Sequence, residues 1–363
     1  MAWFHTSGIR IEGMAAAVPK NTNNVDSYLN VFDQKSVEKF KKSTGILSNH
    51  QTTARQTASD LGYAAAERLL NTLQVEREKI GFLLFVTLSP DYKKPATACV
   101  LQLRLGLPVD CACMDAGHGC AGFVYGNQLM QSMMASGESE YGLLILGETT
   151  SKVVGKADHT SMMMGDAGAA ILYRRDPDCA EHHTLLKTDG GRFKALVVPA
   201  GGFRDPDASR EQYICRDGTM RSKYDLHMDG MEVFIFSTND VPITMNEFLT
   251  RTATGIEDYD CVAFHQANRQ ILNILIRKFR IDPAKVPICI DRYGNTSSVS
   301  IPLSLCDYYG NSNDKDIKKV MATGFGIGLA WGVTSFELCP QNVLPIVETD
   351  AYYQEGILDM RKD

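Results

Sequence analysis

The stretch "CMDAGHGCAGFVYG" (113–126) combines the end of an apolar run, a cysteine among glycines, and the start of a helical pattern. The residues "VDCACMDA" are typical of a strand, and "AGFVYGNQLMQSMMASG" predicts a helix that ends at Gly137. Glycines on both sides of Cys120 permit a sharp turn and leave its sulfur approachable. Since a strand, a glycine turn and a helix start coincide here, Cys120 is a candidate nucleophile, with a buried apolar spacer as the plainer alternative.

Apolar runs alternate with helical patterns on both sides of this stretch. In the first half, "GFLLFVTL" (81–88) and "YGLLILGETT" (141–150) predict strands, and residues 58–75 predict a helix with Ser59 or Asp60 available as its cap. In the second half we predict helices over 231–252, 266–279 and 298–309, strands over 259–265 and 286–291, and two strands within 318–338 joined by a glycine turn. The alternation indicates parallel βαβ units and a sheet covered on both faces.

The chain divides into two halves of similar rhythm. Turn-forming residues concentrate between about 174 and 210, so we place the halves at 1–176 and 177–363. The similar order of strands and helices suggests an internal duplication. The residues from about 340 onward show no strong periodicity, and we treat them as a C-terminal extension of the second half.

Composition narrows the class of protein. With 363 residues, 44% hydrophobic and 22% charged, the chain has the composition of a globular protein. It lacks an apolar run long enough for a transmembrane helix and begins without a secretory signal, so we expect a cytoplasmic protein that does not bind membranes. A net charge of −6 argues against general nucleic-acid binding.

Neither a metal nor a nucleotide cofactor is expected. The ten cysteines are scattered, and Cys111, Cys113 and Cys120 do not have the paired C-x2-C spacing of structural zinc sites. The glycine-rich runs "GFGIG" (324–328) and "GDAGAAIL" (165–172) are not followed by the helix that a phosphate-binding loop requires.

Two further side chains share the placement of Cys120. His265 ends the predicted strand "YDCVAFH", and Asn295 lies in "DRYGNTSS" after another. Alone, His265 would more often be a structural hydrogen-bonding residue and Asn295 part of a common turn. All three residues nevertheless follow the carboxyl ends of predicted strands, where ligands bind in open α/β sheets. The start of the helix after Cys120 is expected to lower the pKa of its thiol.

The motifs together resemble one family. "GCAGFVYG", "FHQANRQI", "DRYGNTSSVSIP" and "GFGIGLAWG", in that order, are similar to the β-ketoacyl-acyl-carrier-protein synthase III family of the thiolase superfamily. The resemblance extends to about Leu338 and implies a five-layered αβαβα fold of two duplicated halves, usually a homodimer. It also implies a catalytic triad of Cys120, His265 and Asn295, with the backbone N–H groups of Cys120 and Ile327 as the oxyanion hole.

The implied reaction is a decarboxylating condensation. Cys120 would accept the acyl group of a thioester primer, and a malonyl thioester would lose carbon dioxide before attacking that acyl group. His265 and Asn295 would stabilise the enolate that forms on decarboxylation. The thiol, imidazole and amide groups suffice, so the resemblance implies acyl-coenzyme A, acyl carrier protein and malonyl carrier protein as substrates without a further cofactor.

The substrate entrance departs from the family pattern. The tryptophan and arginine that hold the coenzyme A adenine in well-known members correspond here to Lys39 and Ser43, and an aromatic residue that closes the acyl pocket of the partner subunit corresponds to Lys94. A carrier-bound or polar acyl group is therefore as good a candidate for the primer as acetyl-coenzyme A. The remaining residues expected to contact the primer or its carrier are Met228, Phe234 and Phe325.

An acidic carrier protein would need local positive charge despite the net charge of this chain. The helix after His265 offers Arg269 and Arg280, which at about 100° per residue fall on one face. A solvated helix face without a partner is an equally good interpretation of these arginines.

Two alternative functions stay open at this stage. An acyltransferase on the same fold would pass the acyl group to an alcohol or amine without decarboxylation. A non-catalytic subunit that shapes the product of another synthase would not need the intact set of Cys120, His265 and Asn295.

Overall fold

The computed structural model describes residues 2–215 and 217–359. Its strands are β1 Ala2–Thr6, β2 Ile9–Pro19, β3 Thr22–Asn24, β4 Ser48–His50, β5 Ile80–Val86, β6 Ala112–Ala116, β7 Tyr141–Glu148, β8 Ala167–Arg175, β9 His182–Thr188, β10 Leu196–Val197, β11 Tyr213–Ile214, β12 Met220–Arg221, β13 His227–Met228, β14 Cys261–Phe264, β15 Lys318–Gly326, β16 Ala330–Leu338 and β17 Val347–Thr349. Its helices are α1 Gln34–Thr44, α2 Ala58–Thr72, α3 Thr97–Arg104, α4 Gly122–Ser136, α5 Thr160–Met163, α6 Gly230–Thr252, α7 Arg269–Phe279, α8 Ile290–Tyr293 and α9 Ser300–Tyr309.

Two sheets of matching topology form the framework. The first has six strands in the order β17-β2-β8-β7-β5-β6, and the second has five in the order β1-β9-β16-β15-β14. In each sheet two antiparallel pairings are followed by a parallel one: β2–β8–β7–β5 in the first and β9–β16–β15–β14 in the second. This repeated order is what the expected internal duplication predicts.

The helices complete five layers. Helix α4 contacts strands of both sheets and α9 contacts β2 and β14, so these two helices lie between the sheets. Helix α2 packs on the outer face of the first sheet and α6 on the outer face of the second. The apolar core accordingly has three parts, one between the sheets and one under each outer helix layer. This is the expected αβαβα architecture.

The ends of the chain are exchanged between the halves. Strand β1 pairs antiparallel with β9 in the second sheet, and β17 pairs parallel with β2 in the first. The predicted boundary at 176/177 lies between β8 and β9. The C-terminal extension is thus ordered in its described part: β17 forms one edge of the first sheet, and Gln56 Nε2 donates to the Thr349 and Ala351 carbonyls at 3.1 Å each.

Three local predictions were wrong. Residues 286–291 were predicted as a strand, but 286–289 are irregular and 290–291 begin α8, because the apolar run contains Pro287 and no strand among the described residues pairs with it. The sheets are mixed rather than fully parallel. Helix α2 begins after Thr57, whose N–H donates to Asp60 Oδ2 at 2.8 Å in a capping box, so neither Ser59 nor Asp60 is the N-cap residue.

Within the described ranges, no helix is both long enough and apolar enough to cross a membrane.

Candidate active site

The nucleophile candidate lies where the sequence predicts it. Cys120 follows β6 and precedes α4 by two residues, between the two sheets. Gly119 and Gly326 make this packing possible: a Cβ on Gly119 would lie 2.4 Å from Ile327 Cγ2, and one on Gly326 would lie 2.5 Å from Cys120 Cβ. The "GFGIG" run therefore forms the end of β15 and the start of the turn to β16, and its backbone packs against the cysteine; it is not a phosphate-binding loop.

The electrostatics of Cys120 differ from the prediction. Burial raises the pKa of its thiol, although the Ile327 and Cys120 backbone N–H groups and the Ser297 hydroxyl act in the opposite direction. The prediction that the helix start lowers this pKa was wrong in direction. Desolvation disfavours the thiolate more strongly than the nearby dipoles favour it. Both N–H groups expected to form the oxyanion hole nonetheless lie beside the sulfur.

His265 and Asn295 come from the second half of the chain. His265 follows β14 and is 2% exposed, and burial lowers the pKa of its imidazole to about 3. Its Nδ1 lies 2.8 Å from the Ser300 hydroxyl, which also accepts the Gln266 N–H at 3.3 Å. Asn295, 7% exposed, lies in the segment between α8 and α9, and its Oδ1 accepts the Ser297 N–H at 2.9 Å.

A single cavity of about 1020 Å³ joins these groups. The predicted residues on its wall are Cys120, His265, Asn295, Ile327, Met228, Phe234 and Phe325. Further apolar side chains on the wall come from α6, the 196–201 segment and the 163–164 turn, and polar residues such as Glu148 and Lys152 also line it. A mainly apolar cavity with a thiol on its wall is suited to an acyl chain.

Three predicted contact residues lie off the wall of this cavity. Lys94 is exposed in the loop between β5 and α3, and Arg269 and Arg280 are exposed at the two ends of α7. The sequence predicts that the two arginines fall on one face of this helix. They are separated by about 16 Å at 1.5 Å per residue, and Arg280 adopts the left-handed C-cap conformation beyond the helix. Arg269 lies between Asn268 and Gln270, which both line the cavity.

Three polar residues of the site were not predicted from the sequence. Ser297 Oγ lies 3.9 Å from Cys120 Sγ, and Ser300 contacts His265. Glu148, 1% exposed at the end of β7, lines the cavity and accepts the Leu88 N–H at 3.2 Å and the Ser89 hydroxyl at 3.0 Å. Glu148 could have been predicted from its position at the end of a predicted strand. Ser297 and Ser300 lie in "NTSSVS", where no feature of the sequence marks them as site residues.

Glu148 is an uncharged carboxyl group in this site at neutral pH. Burial raises the pKa of Glu148 from 4.5 to about 8, and its hydrogen bonds to Ser89 and the Leu88 N–H only partly oppose this. Cys120 is close enough to contribute to the same direction of shift. In the part of the chain that the structure describes, no three His, Cys, Asp or Glu side chains converge to hold a metal ion.

The five layers, the exchanged terminal strands and the cysteine between the sheets place the molecule among the thiolase-fold proteins. Comparison with known proteins narrows this class. Residues 114–190 match the 3-oxoacyl-[acyl-carrier-protein (ACP)] synthase III family model, and residues 249–338 match the model of its C-terminal part.

Individual relatives agree over nearly the full length. The beta-ketoacyl-[acyl-carrier-protein] synthase III of Clostridium perfringens (strain SM101 / Type A) is 32% identical over 331 residues, 91% of this chain and 99% of that protein. That of Desulfitobacterium hafniense (strain Y51) is 35% identical over 80% of this chain and 86% of that protein. A solved 3-oxoacyl-(acyl-carrier protein) synthase from Burkholderia xenovorans LB400 superposes with a TM-score of 0.90 at 33% identity, covering 96% of this chain and 99% of that one. The chain belongs to the 3-oxoacyl-[acyl-carrier-protein] synthase III family.

Proposed function

We propose that this protein is a decarboxylating condensing enzyme that joins an acyl thioester primer to a malonyl thioester and releases a 3-oxoacyl product. The observation that carries the proposal is the convergence of Cys120, His265 and Asn295 on one cavity in a chain of this family. His265 lies 145 positions after Cys120, and Asn295 lies 30 positions after His265, so only the fold brings the three residues together.

In the first step Cys120 becomes acylated. The Cys120 thiol loses its proton, and the resulting thiolate attacks the thioester carbonyl of the primer to form a tetrahedral oxyanion. The carbon–sulfur bond to the carrier then breaks, and the carrier sulfur takes up a proton and leaves as a thiol, so that no net proton is gained or lost. The backbone N–H groups of Cys120 and Ile327 are placed to donate to this oxyanion, as their position beside the sulfur supports.

In the second step a malonyl thioester loses carbon dioxide and leaves an enolate. The lowered pKa of His265 keeps its ring neutral, and we assign its proton to Nε2 because the Ser300 hydroxyl, which accepts from Gln266, has its own hydrogen to donate to Nδ1. Asn295 Oδ1 is engaged by the Ser297 N–H, which leaves the amide NH2 as a donor. Two neutral donors then stabilise the enolate oxygen while its carbon attacks the acyl group on Cys120. The step requires no cofactor.

The partners follow from this chemistry. We propose that acyl carrier protein brings the malonyl group and that Arg269, exposed on α7 between two cavity-lining residues, contributes to its docking. The primer arrives on coenzyme A or on the carrier. We also propose that the protein is a cytoplasmic homodimer with Lys94 near the partner's acyl pocket. This part of the proposal rests on the family resemblance.

Mass spectrometry of the intact protein after incubation with a panel of acyl thioesters tests the first step, because acylation adds the mass of the acyl group. Release of carbon dioxide from a malonyl thioester tests the second step. Acylation followed by transfer to an alcohol or amine, with no carbon dioxide released, would instead identify an acyltransferase. Cys120→Ala is the matched control and should gain no acyl mass.

A further inference from the structure

Ser297 lies at the meeting point of the three candidate catalytic residues. Its hydroxyl oxygen is 3.9 Å from Cys120 Sγ, within hydrogen-bonding distance for sulfur, and its N–H donates to Asn295 Oδ1 at 2.9 Å. Its backbone also faces His265 and acts to raise the pKa of that imidazole. The residue is 7% exposed and lines the cavity.

The backbone of Ser297 is strained. Its φ angle is +52°, in the left-handed region that residues other than glycine rarely adopt. Asparagine, aspartate and glycine are the residues that usually occupy this region, and each would lack the hydroxyl. Non-glycine residues in strained conformations are concentrated at functional sites, where the surrounding structure holds them. Here the strain places a hydroxyl against the sulfur.

The surroundings leave little freedom for this contact. A Cβ on Gly119 would come within 3.4 Å of Ser297 Oγ, and a Cβ on Gly326 would lie 2.8 Å from Cys120 Sγ. Because Gly119 and Gly326 have no side chains, the Ser297 hydroxyl and the β15–β16 turn can both lie close to Cys120. The sulfur receives the Ile327 N–H, its own N–H and the serine hydroxyl as its nearby dipoles.

We propose that the Ser297 hydroxyl is a further catalytic group, which donates a hydrogen bond to the Cys120 thiolate and makes the buried sulfur ionisable. This inference rests on the proposed function, because it requires Cys120 to act as a nucleophile. A hydrogen bond to a charged group is stronger than one to a neutral group, so the hydroxyl stabilises the thiolate more than the thiol. Once the sulfur is acylated, this donor is released.

The test measures ionisation of Cys120 directly. Alkylation of the thiolate by iodoacetamide displaces iodide, and peptide mass spectrometry separates Cys120 from the other nine of the ten cysteines. The rate is measured from pH 5 to pH 10 for the wild type, Ser297→Ala and Ser297→Gly. Both variants remove the hydroxyl, but glycine adopts the left-handed backbone more readily than alanine does, so the pair separates the hydroxyl from the strain. Ser304→Ala is the matched control, since Ser304 is a buried serine whose hydroxyl donates to the Ile301 carbonyl in α9.

We expect the midpoint of the alkylation profile to move up by about one pH unit in both Ser297 variants, with a roughly tenfold slower reaction at pH 7. The whole profile of Ser304→Ala should stay close to that of the wild type. The rate of acylation by a primer thioester should fall by the same factor.

Two results overturn the inference. An unshifted midpoint in either variant would show that the hydroxyl does not stabilise the thiolate, and a shift in Ser297→Ala alone would assign the effect to the backbone. A wild-type Cys120 that neither alkylates nor acylates would refute the proposed function itself. An active wild type with unshifted Ser297 variants would refute this inference and leave the proposed function standing.

Discussion

Replacing Glu148 with glutamine should stabilise the protein, and the gain should grow with pH. Glu148 keeps its proton in the folded state up to about pH 8 because burial raises the pKa of its carboxyl from 4.5. In the unfolded chain the carboxyl ionises near its ordinary pKa. Between these values the unfolded state binds fewer protons, so the stability that depends on Glu148 is full below pH 4.5 and is lost as the pH rises toward 8.

The size of the effect follows from the shift. Each pKa unit corresponds to about 1.4 kcal/mol, so the pH-dependent part of the difference between Glu148→Gln and the wild type should reach about 3 to 4 kcal/mol between pH 5 and pH 8. Glutamine does not titrate in this range. Its amide oxygen can accept the Leu88 N–H and its NH2 can donate to Ser89, so the two hydrogen-bonding positions of the carboxyl stay occupied.

Urea unfolding followed by circular dichroism at pH 5, 6, 7 and 8 gives the free energy of unfolding of each variant. Glu138→Gln, which removes an exposed carboxylate, is the control for the general loss of one negative charge. A difference between Glu148→Gln and the wild type that stays constant across this range would refute the reasoning, because it would mean that Glu148 is ionised in the folded protein.

Three further predictions concern activity and stability. Cys120→Ala should abolish the acyl-enzyme while leaving slow malonyl decarboxylation, and His265→Ala should keep part of the acylation but suppress decarboxylation, as mass spectrometry and carbon dioxide release would show. Arg269→Glu should raise KM for a carrier-bound substrate several-fold and spare a small thioester analogue, whereas Arg280→Glu, at the far end of α7, should change neither; equal effects would count against docking at Arg269. Burial lowers the pKa of His182 to about 4, so the His182 contribution to the free energy of unfolding should fall by about 3 kcal/mol as the pH drops from 6.5 to 4. The free energy of unfolding of His182→Gln, measured in urea, should therefore rise by about 3 kcal/mol relative to that of the wild type over this range.

Much of the fold was available from the sequence because its elements have strong periodicity. Helix α4 and strand β5 appeared nearly where the pattern placed them, since a helix between two sheets and a strand under two helix layers both need continuous apolar surface. The strand prediction for residues 286–291 was wrong although it rested on the same signal, a continuous apolar run. Its apolar residues are buried, but only a partner strand could have made them a strand, and pairing depends on distant residues.

Part of the candidate site could likewise be predicted from the sequence, and part could not. Cys120, His265 and Asn295 stand in recognisable motifs, so the sequence could propose them together. Ser297 contacts Cys120 across 177 positions, and Glu148 receives the Leu88 N–H across 60, so neither contact has a local signature. The direction of the Cys120 pKa was mispredicted because a helix start can be read from sequence, whereas the depth of burial cannot.

Burial acts on Cys120 and His265 in opposite directions and yields the same result, two uncharged side chains. It raises the pKa of the thiol and lowers that of the imidazole to about 3, so a thiolate–imidazolium pair is disfavoured from both sides. Activation of the sulfur then falls to neutral donors that stand beside it, the two backbone N–H groups and the Ser297 hydroxyl. A neutral His265 in turn keeps one ring N–H to donate to the enolate. The burial that keeps His265 neutral for the second step therefore leaves the stabilisation of the thiolate in the first step to hydrogen bonds instead of an ion pair.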